Sequence, residues 1–219
     1  MPKTHTTGVI HHRVFGRVHV LLNSPKAPAD DPSAPYAYFE IDSEIMYEPF
    51  FEDFGPTNLF MLYKFCRKLD DMIQCNPHRS TALCVAPDLK AQTAAALFLG
   101  TYMVMLMDFN PDDVEHRLAP LRIIPFRDIL FRDNSMLTLA TANRKRKGLN
   151  ESSGFGLSVR DCLDALRRAK GLRWIDLAQA AQLERNECNG CGGFDVDEYK
   201  LLDNPLNADL HEVYGVHEV

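Results

Sequence analysis

The 219-residue chain is 46% hydrophobic and 25% charged. These proportions suit a globular protein with one full core or two small ones, and exclude a wholly disordered chain, a collagen-like repeat or a small disulfide-stapled scaffold. The net charge of −6 is unevenly placed: from Glu184 onward 9 acidic residues face 2 basic ones, leaving +1 for everything before, so the concentrated positive charge needed for general nucleic-acid binding is missing.

The first residues, Met-Pro-Lys-Thr-His-Thr-Thr, lack the apolar stretch of a secretory signal. The six cysteines (Cys66, Cys75, Cys84, Cys162, Cys188 and Cys191) therefore read as reduced thiols, and the protein as intracellular, cytoplasmic or nuclear.

In chain order, Val14 to Leu22 (VFGRVHVLL) reads as one strand, rich in β-branched and apolar residues. Pro25, Pro28, Pro32 and Pro35 make an exposed connection. Tyr36 to Ile41 is a second strand. An aromatic stretch, Tyr47, Phe50, Phe51 and Phe54, closes at Gly55-Pro56, and the proline suits the first turn of a helix. That helix places Leu59, Leu62, Phe65, Cys66, Leu69 and Ile73 at spacings of three and four and ends at Asn76-Pro77. Thr81 to Ala86 (TALCVA) is an apolar run of strand length, and a helix over 89–107 follows.

From Ala91 to Met107 that helix carries no charge. Its length is at the lower edge of a membrane span, but its small, polar start and its position after a strand predict a core helix covered on all sides. Asn110-Pro111-Asp112-Asp113 is a helix start with a cap, a proline and two acids set against the dipole; the helix ends near Ala119-Pro120. Residues 133–156 read as a polar, basic inserted loop. Leu157 to Leu172 is amphipathic, with Val159, Leu163, Leu166 and Ala169 on one face. A Cys- and Gly-rich loop (186–193) precedes an acidic helix from Asp195 to Leu202. These elements predict an α/β domain.

The strand–loop–helix unit around Thr81 to Gly100 is where an anion would bind, because loop amides and the helix dipole point outward there. Cys84 and Lys90, six residues apart, imitate the Cys-x5-Arg phosphate loop of cysteine-dependent phosphatases. The loop CVAPDLK argues against function. It has no glycine for close backbone approach, Pro87 has no N–H, Asp88 would repel phosphate, and lysine lacks the planar fork of arginine. Cys84 is therefore expected to be buried and structural, and no catalytic residue is assigned.

Cys188 and Cys191 could form half a zinc site with His211 and His217 as the other half, but the 19 residues between Cys191 and His211 exceed the usual interval, and a solvent-exposed pair of thiols is the favoured reading; no metal or cofactor is expected. Arg144-Lys145-Arg146-Lys147 reads as a solvated loop, with a nuclear import signal as the alternative. Gly154-Phe155-Gly156 lacks the remainder of a dinucleotide fingerprint, and His11-His12 reads as surface. Asp195, Asp197, Glu198 and Asp203 have two readings, a solvated helix face or one wall of a groove for a basic peptide.

Tyr38 to Leu69, YFEIDSEIMYEPFFEDFGPTNLFMLYKFCRKL, resembles the N-terminal domain of Cdc14-type dual-specificity protein phosphatases, with the family's F-x-I-D strand end and its aromatic run into D-F-G-P-x-N-L. AALFLGTYMV (Ala95 to Val104), IPFRD (Ile124 to Asp128), VRDCLDALRRA (Val159 to Ala169) and FDVDEY (Phe194 to Tyr199) agree in the same order. The resemblance covers about residues 9–203, leaving 204–219 as an acidic tail or the start of an interdomain linker.

It implies an α/β, protein-tyrosine-phosphatase-like fold with a mixed central sheet flanked by helices, in a tandem arrangement in which only the second domain carries the His-Cys-x5-Arg loop and the first builds part of the substrate groove. No His-Cys-x5-Arg segment occurs in this chain, which ends about where a second domain would begin. Asp197 and Glu198 match the family's groove motif and Asp203 follows, but Lys200 interrupts it. The leading expectation is a non-catalytic phosphatase-fold domain that recognises a protein, either a catalytic phosphatase domain or a phosphoprotein substrate, with neither nucleic acid nor membrane as partner. The alternatives are the N-terminal piece of a complete dual-specificity phosphatase and a free-standing pseudophosphatase.

Overall fold

Gly16 divides what the sequence presents as one strand. In the computed structural model, which describes residues 8–29, 31–47, 54–126, 131–133, 135–137 and 157–178, β1 (Ile10–Phe15) and β2 (Val18–Leu22) form an antiparallel hairpin around Gly16-Arg17. Gly16 has φ +46, a conformation that costs little only without a Cβ. The expected single strand over Val14 to Leu22 is thus corrected to the two arms of a tight turn. Arg17 fixes that turn by donating to the carbonyl oxygens of Asn76, Pro77 and Arg79. An irregularity between Arg13 and Phe15 turns both Val14 and Phe15 inward, at 1% and 4% exposure.

β3 (Tyr36–Glu40) and β4 (Ser80–Val85) complete a four-stranded mixed sheet in the order β1-β2-β4-β3. β4 is parallel to both neighbours: Leu21 and Glu40 each pair with Cys84. Parallel strands need crossover connections. β3 reaches β4 through α1 (Leu59–Cys75). β2 reaches β3 through the proline-rich residues 23–35, which pass beyond β4 in the opposite sense, so the right-handed rule puts them on the other face of the sheet from α1. A short 3-10 turn, Ser43–Ile45, follows β3.

α1 starts later than Pro56 suggests. Asn58 is the cap, its side chain accepting from the Met61 amide at 2.9 Å, so Pro56 precedes the helix rather than forming its first turn. Leu62, Phe65, Cys66 and Leu69 face inward. The Phe65 ring sits 6.3 Å from Phe39 on the sheet and 4.7 Å from Phe98 on α2 (Leu89–Met107).

α2 is the one helix among the described residues long and apolar enough to cross a membrane, and 72% of its apolar window is buried inside the protein. The sheet and α1 cover it on one side, α3 (Pro111–Leu118) and α4 (Val159–Gly171) on the other. Gly100 lets α4 approach: a Cβ there would meet Leu163 Cδ1 at 2.8 Å. A capping box between Ser158 and Asp161 starts α4.

The 133–156 stretch expected to be a loop begins instead in a small antiparallel pair, β5 (Phe131–Asp133) and β6 (Ser135–Leu137). The expected acidic helix over 195–202 and the 204–219 tail lie outside the described residues.

Phe65 joins sheet, α1 and α2, so Phe65→Ala should lower unfolding free energy by about 3–5 kcal/mol. Urea denaturation should show this as a shifted midpoint with an unchanged slope.

Candidate functional site

The turn from β4 into α2, at the carboxyl end of the parallel strands, is where a sheet of this kind places a ligand. Strand alternation sets the direction of each side chain. Leu83 and Val85 join the core under the helices, so Cys84 points to the opposite face, beside the proline-rich connection. It is 5% exposed. Burial pushes its thiol pKa up; a hydrogen bond with the Ser24 side chain pulls it partly back, and nearby Glu40 adds to the rise. A nucleophilic thiolate needs the reverse environment, exposed and electropositive.

Lys90 is held elsewhere. It is exposed on the first turn of α2, with its ammonium 5.4 Å from the centre of the Phe54 ring, within cation–π range. The two residues that imitate a phosphate loop therefore sit in different surroundings, Cys84 under the crossover connection and Lys90 against the aromatic segment before α1.

Between them stands Asp88. As cap of α2 its Oδ2 accepts from the Ala91 amide at 2.9 Å. The protein thus supplies its own carboxylate to the helix N-terminus that would otherwise attract phosphate. The neighbouring donors are also engaged. Gln92 Nε2 donates to the Pro87 carbonyl at 3.1 Å, while its Oε1 accepts from the Arg122 amide at 2.8 Å. Thr93 Oγ1 donates to Leu89 O at 2.8 Å and accepts from the Ile124 amide at 3.0 Å. Gln92 and Thr93, 3% and 0% exposed, were not foreseen as structural residues. Their polarity inside an otherwise apolar helix is the signal that marks them, since buried polar groups need partners.

Beside this turn lies a cavity of about 150 Å³, walled by Tyr47, Phe54, Pro56, Phe126, Asp88 and Lys90, among others. Tyr47 closes over Gly55, where a Cβ would sit 2.9 Å from its ring. The walls are mainly apolar, with the rings of Tyr47, Phe54, Phe98 and Phe126 among them, and their carboxylate, Asp88, is committed to capping. The arrangement can hold an apolar group; a transferring phosphoryl group needs converging donors and a nucleophile, and Cys84 is not among the described residues of this wall.

Asp197, Glu198 and Asp203 lie outside the described residues, as do Cys188, Cys191, His211, His217 and Arg144 to Lys147. Among the described residues no group of three or more His, Cys, Asp or Glu could hold a metal ion. Of the His11-His12 pair, His11 is exposed and stacks on His19 at 4.8 Å. His12 is not simply surface, because its Nε2 bonds the Arg117 carbonyl at 2.8 Å and ties β1 to α3.

Fold and turn together define an α/β phosphatase-like domain whose helix N-terminus is capped by its own carboxylate. The family model for the N-terminal half of dual specificity protein phosphatases matches residues 10–142, and the chain belongs to that family. It is similar to the dual specificity protein phosphatase CDC14C of Symphalangus syndactylus (25% identical over 197 residues, 89% of this chain and 33% of that protein). The similarity extends to CDC14A of Homo sapiens (26% over 196 residues, 87% of this chain and 27% of that protein). It reaches the tyrosine-protein phosphatase CDC14 homolog of Schizosaccharomyces pombe (26% over 180 residues, 78% and 30%). The chain spans about a third of the length of these relatives.

Removing the cap in Asp88→Ala should cost about 0.5–2 kcal/mol, and Asp88→Asn only a fraction of that, as measured by thermal unfolding. At pH 7.5 iodoacetamide should label exposed Cys75 well before Cys84; equal rates would contradict the burial and raised pKa of the Cys84 thiol.

Proposed function

We propose that this domain is non-catalytic and serves recognition, contributing to substrate selection in phosphoprotein dephosphorylation. The observation that carries the reading is the Asp88 cap. A carboxylate seated on the helix N-terminus excludes a dianionic phosphate by charge and by occupancy, and Cys84 faces the other side of the sheet. Cysteine-dependent phosphoryl transfer requires a thiolate in line with phosphorus and amides around its equatorial oxygens; the buried Cys84 with its raised thiol pKa, and Pro87 with no N–H to offer, support the reading.

The printed names of the relatives, dual specificity protein phosphatase and tyrosine-protein phosphatase, give the reaction the domain would serve. Its partner is a protein, either a catalytic phosphatase domain or a phosphoprotein, and its setting intracellular. Asp197, Glu198 and Asp203 are the carboxylates proposed to attract a basic substrate segment, since clustered acids draw Lys and Arg from a distance. A second reading, the N-terminal piece of a complete phosphatase, is favoured by the chain's coverage of about a third of its relatives.

The test is turnover of a small aryl phosphate by the purified chain beside a Cys84→Ser variant. Both should hydrolyse it at the buffer rate. Activity lost on Cys84→Ser would make CVAPDLK a working phosphate loop and overturn the proposal.

A further inference from the structure

The chain's single tryptophan stands on a hydrogen-bonded turn of backbone and is left in water. α4 ends in a left-handed cap: Arg173 has φ +59, the Leu172 amide donates to the Arg168 carbonyl, and the Trp174 amide reaches back to Ala169 O at 2.9 Å, the bonding of a Schellman-type stop. Three residues on, Leu177 is 1% exposed, so the backbone is pinned on both sides. Trp174 is nonetheless 73% exposed and Leu172 48%. At the same end of the helix pair, where Lys170 Nζ bonds Met105 O and Asp108, Met107 is 40% exposed. An exposed tryptophan on a fixed stretch of backbone is the kind of side chain that dominates interfaces when covered.

The surroundings are cationic. Arg167, Arg168 and Arg173 are exposed and make no ion pair among the described residues. The nearest acids are committed: Asp108 to Lys170, and Asp164 to Arg160, while Asp176 is also engaged. A surface of one tryptophan, one leucine and three guanidinium groups with no ion pair among the described residues calls for an acidic segment bearing apolar side chains, because arginine pairs with carboxylates and also stacks on aromatic rings.

The chain itself contains such a segment. Residues 194–203, FDVDEYKLLD, interleave Asp195, Asp197, Glu198 and Asp203 with Phe194, Val196, Tyr199, Leu201 and Leu202, in the strongly acidic region that begins at Glu184. Fifteen residues separate Ala178 from Phe194, enough for a reach of roughly 50 Å when extended. A tether of that kind presents its ligand at an effective concentration of order mM. We infer that residues 194–203 dock on the Trp174–Arg173 end of α4, with carboxylates against the guanidinium groups and an aromatic side chain over Trp174. Carboxylates engaged there are unavailable to a basic peptide, so docking and the proposed basic-peptide recognition compete, though docking does not depend on that recognition.

Trp174, having no other tryptophan to mask it, reports the contact directly in the full chain. Intrinsic fluorescence with acrylamide quenching should show a shielded, blue-shifted ring in the wild type. Substituting Asp195→Asn, Asp197→Asn and Glu198→Gln together should red-shift the emission and raise the quenching constant at least about twofold, as should 1 M salt, where the screening length falls to about 3 Å. Arg173→Glu should expose the ring in the same way, and Arg173→Glu combined with Asp197→Lys should restore shielding. Far-UV circular dichroism checks that these exposed-site variants keep their helices. A fully water-exposed ring in the wild type, unchanged by the tail substitutions, would overturn the inference. So would shielding that grows with protein concentration and ignores those substitutions, which would assign the surface to a second copy of the chain.

Discussion

The domain is organised by the need to cover α2. A helix of nineteen residues with no charge from Ala91 to Met107 has no face suited to water, and each buried apolar side chain contributes on the order of 1.5–3 kcal/mol only when fully enclosed. The sheet and α1 cover one side through Val20, Leu83 and the Phe39–Phe65–Phe98 ring cluster. The other side falls to α3 and α4, and α4 can come close because Gly100 has no side chain to hold off Leu163. The three polar residues inside this helix, Gln92, Thr93 and Thr101, are each satisfied locally or by the 121–126 segment, so the helix is pinned at its start as well as covered along its length.

That pinning bears on chemistry. A helix N-terminus after a parallel strand is an electropositive end with unpaired amides, and phosphatase folds use it to hold phosphate. Here Asp88 occupies it, Pro87 removes a donor from the turn, and Gln92 fastens the turn to Arg122. The result is a start of α2 whose Ala91 amide is capped from within the chain and whose Gln92 and Thr93 side chains are tied to the 121–126 segment. Cys84 shows the same commitment: its place in the strand puts it under the β2–β3 connection, where burial favours the neutral thiol.

Much of this was legible in the sequence because the signals were local. Asn110-Pro111-Asp112-Asp113 spelled out the start of α3, and the uncharged run predicted α2 over 89–107. The errors have equally local causes. VFGRVHVLL looks like one strand because its side chains are uniformly strand-forming, and only the positive φ of Gly16 reveals the hairpin. Pro56 suits a helix start, but Asn58 has the better capping side chain and sets the boundary. Gln92, Thr93 and His12 acquire their roles from partners thirty or more residues away, which no local pattern encodes. The family resemblance carried by Tyr38 to Leu69 agrees with the family model over 10–142; the acidic residues it points to, Asp197, Glu198 and Asp203, lie beyond the described part of the chain.

The central proposal is that the β4–α2 turn does not receive a phosphate. The most direct measurement is a titration of the isotopically labelled chain with orthovanadate, followed through the backbone amides of Ala86 and of Asp88 to Gln92. The Asp88 cap predicts that these resonances stay in place while the anion is raised to millimolar concentration, in the wild type and in Cys84→Ser alike. Saturable shifts confined to these amides, and lost on Cys84→Ser, would show an anion seated on the helix N-terminus and would contradict the account.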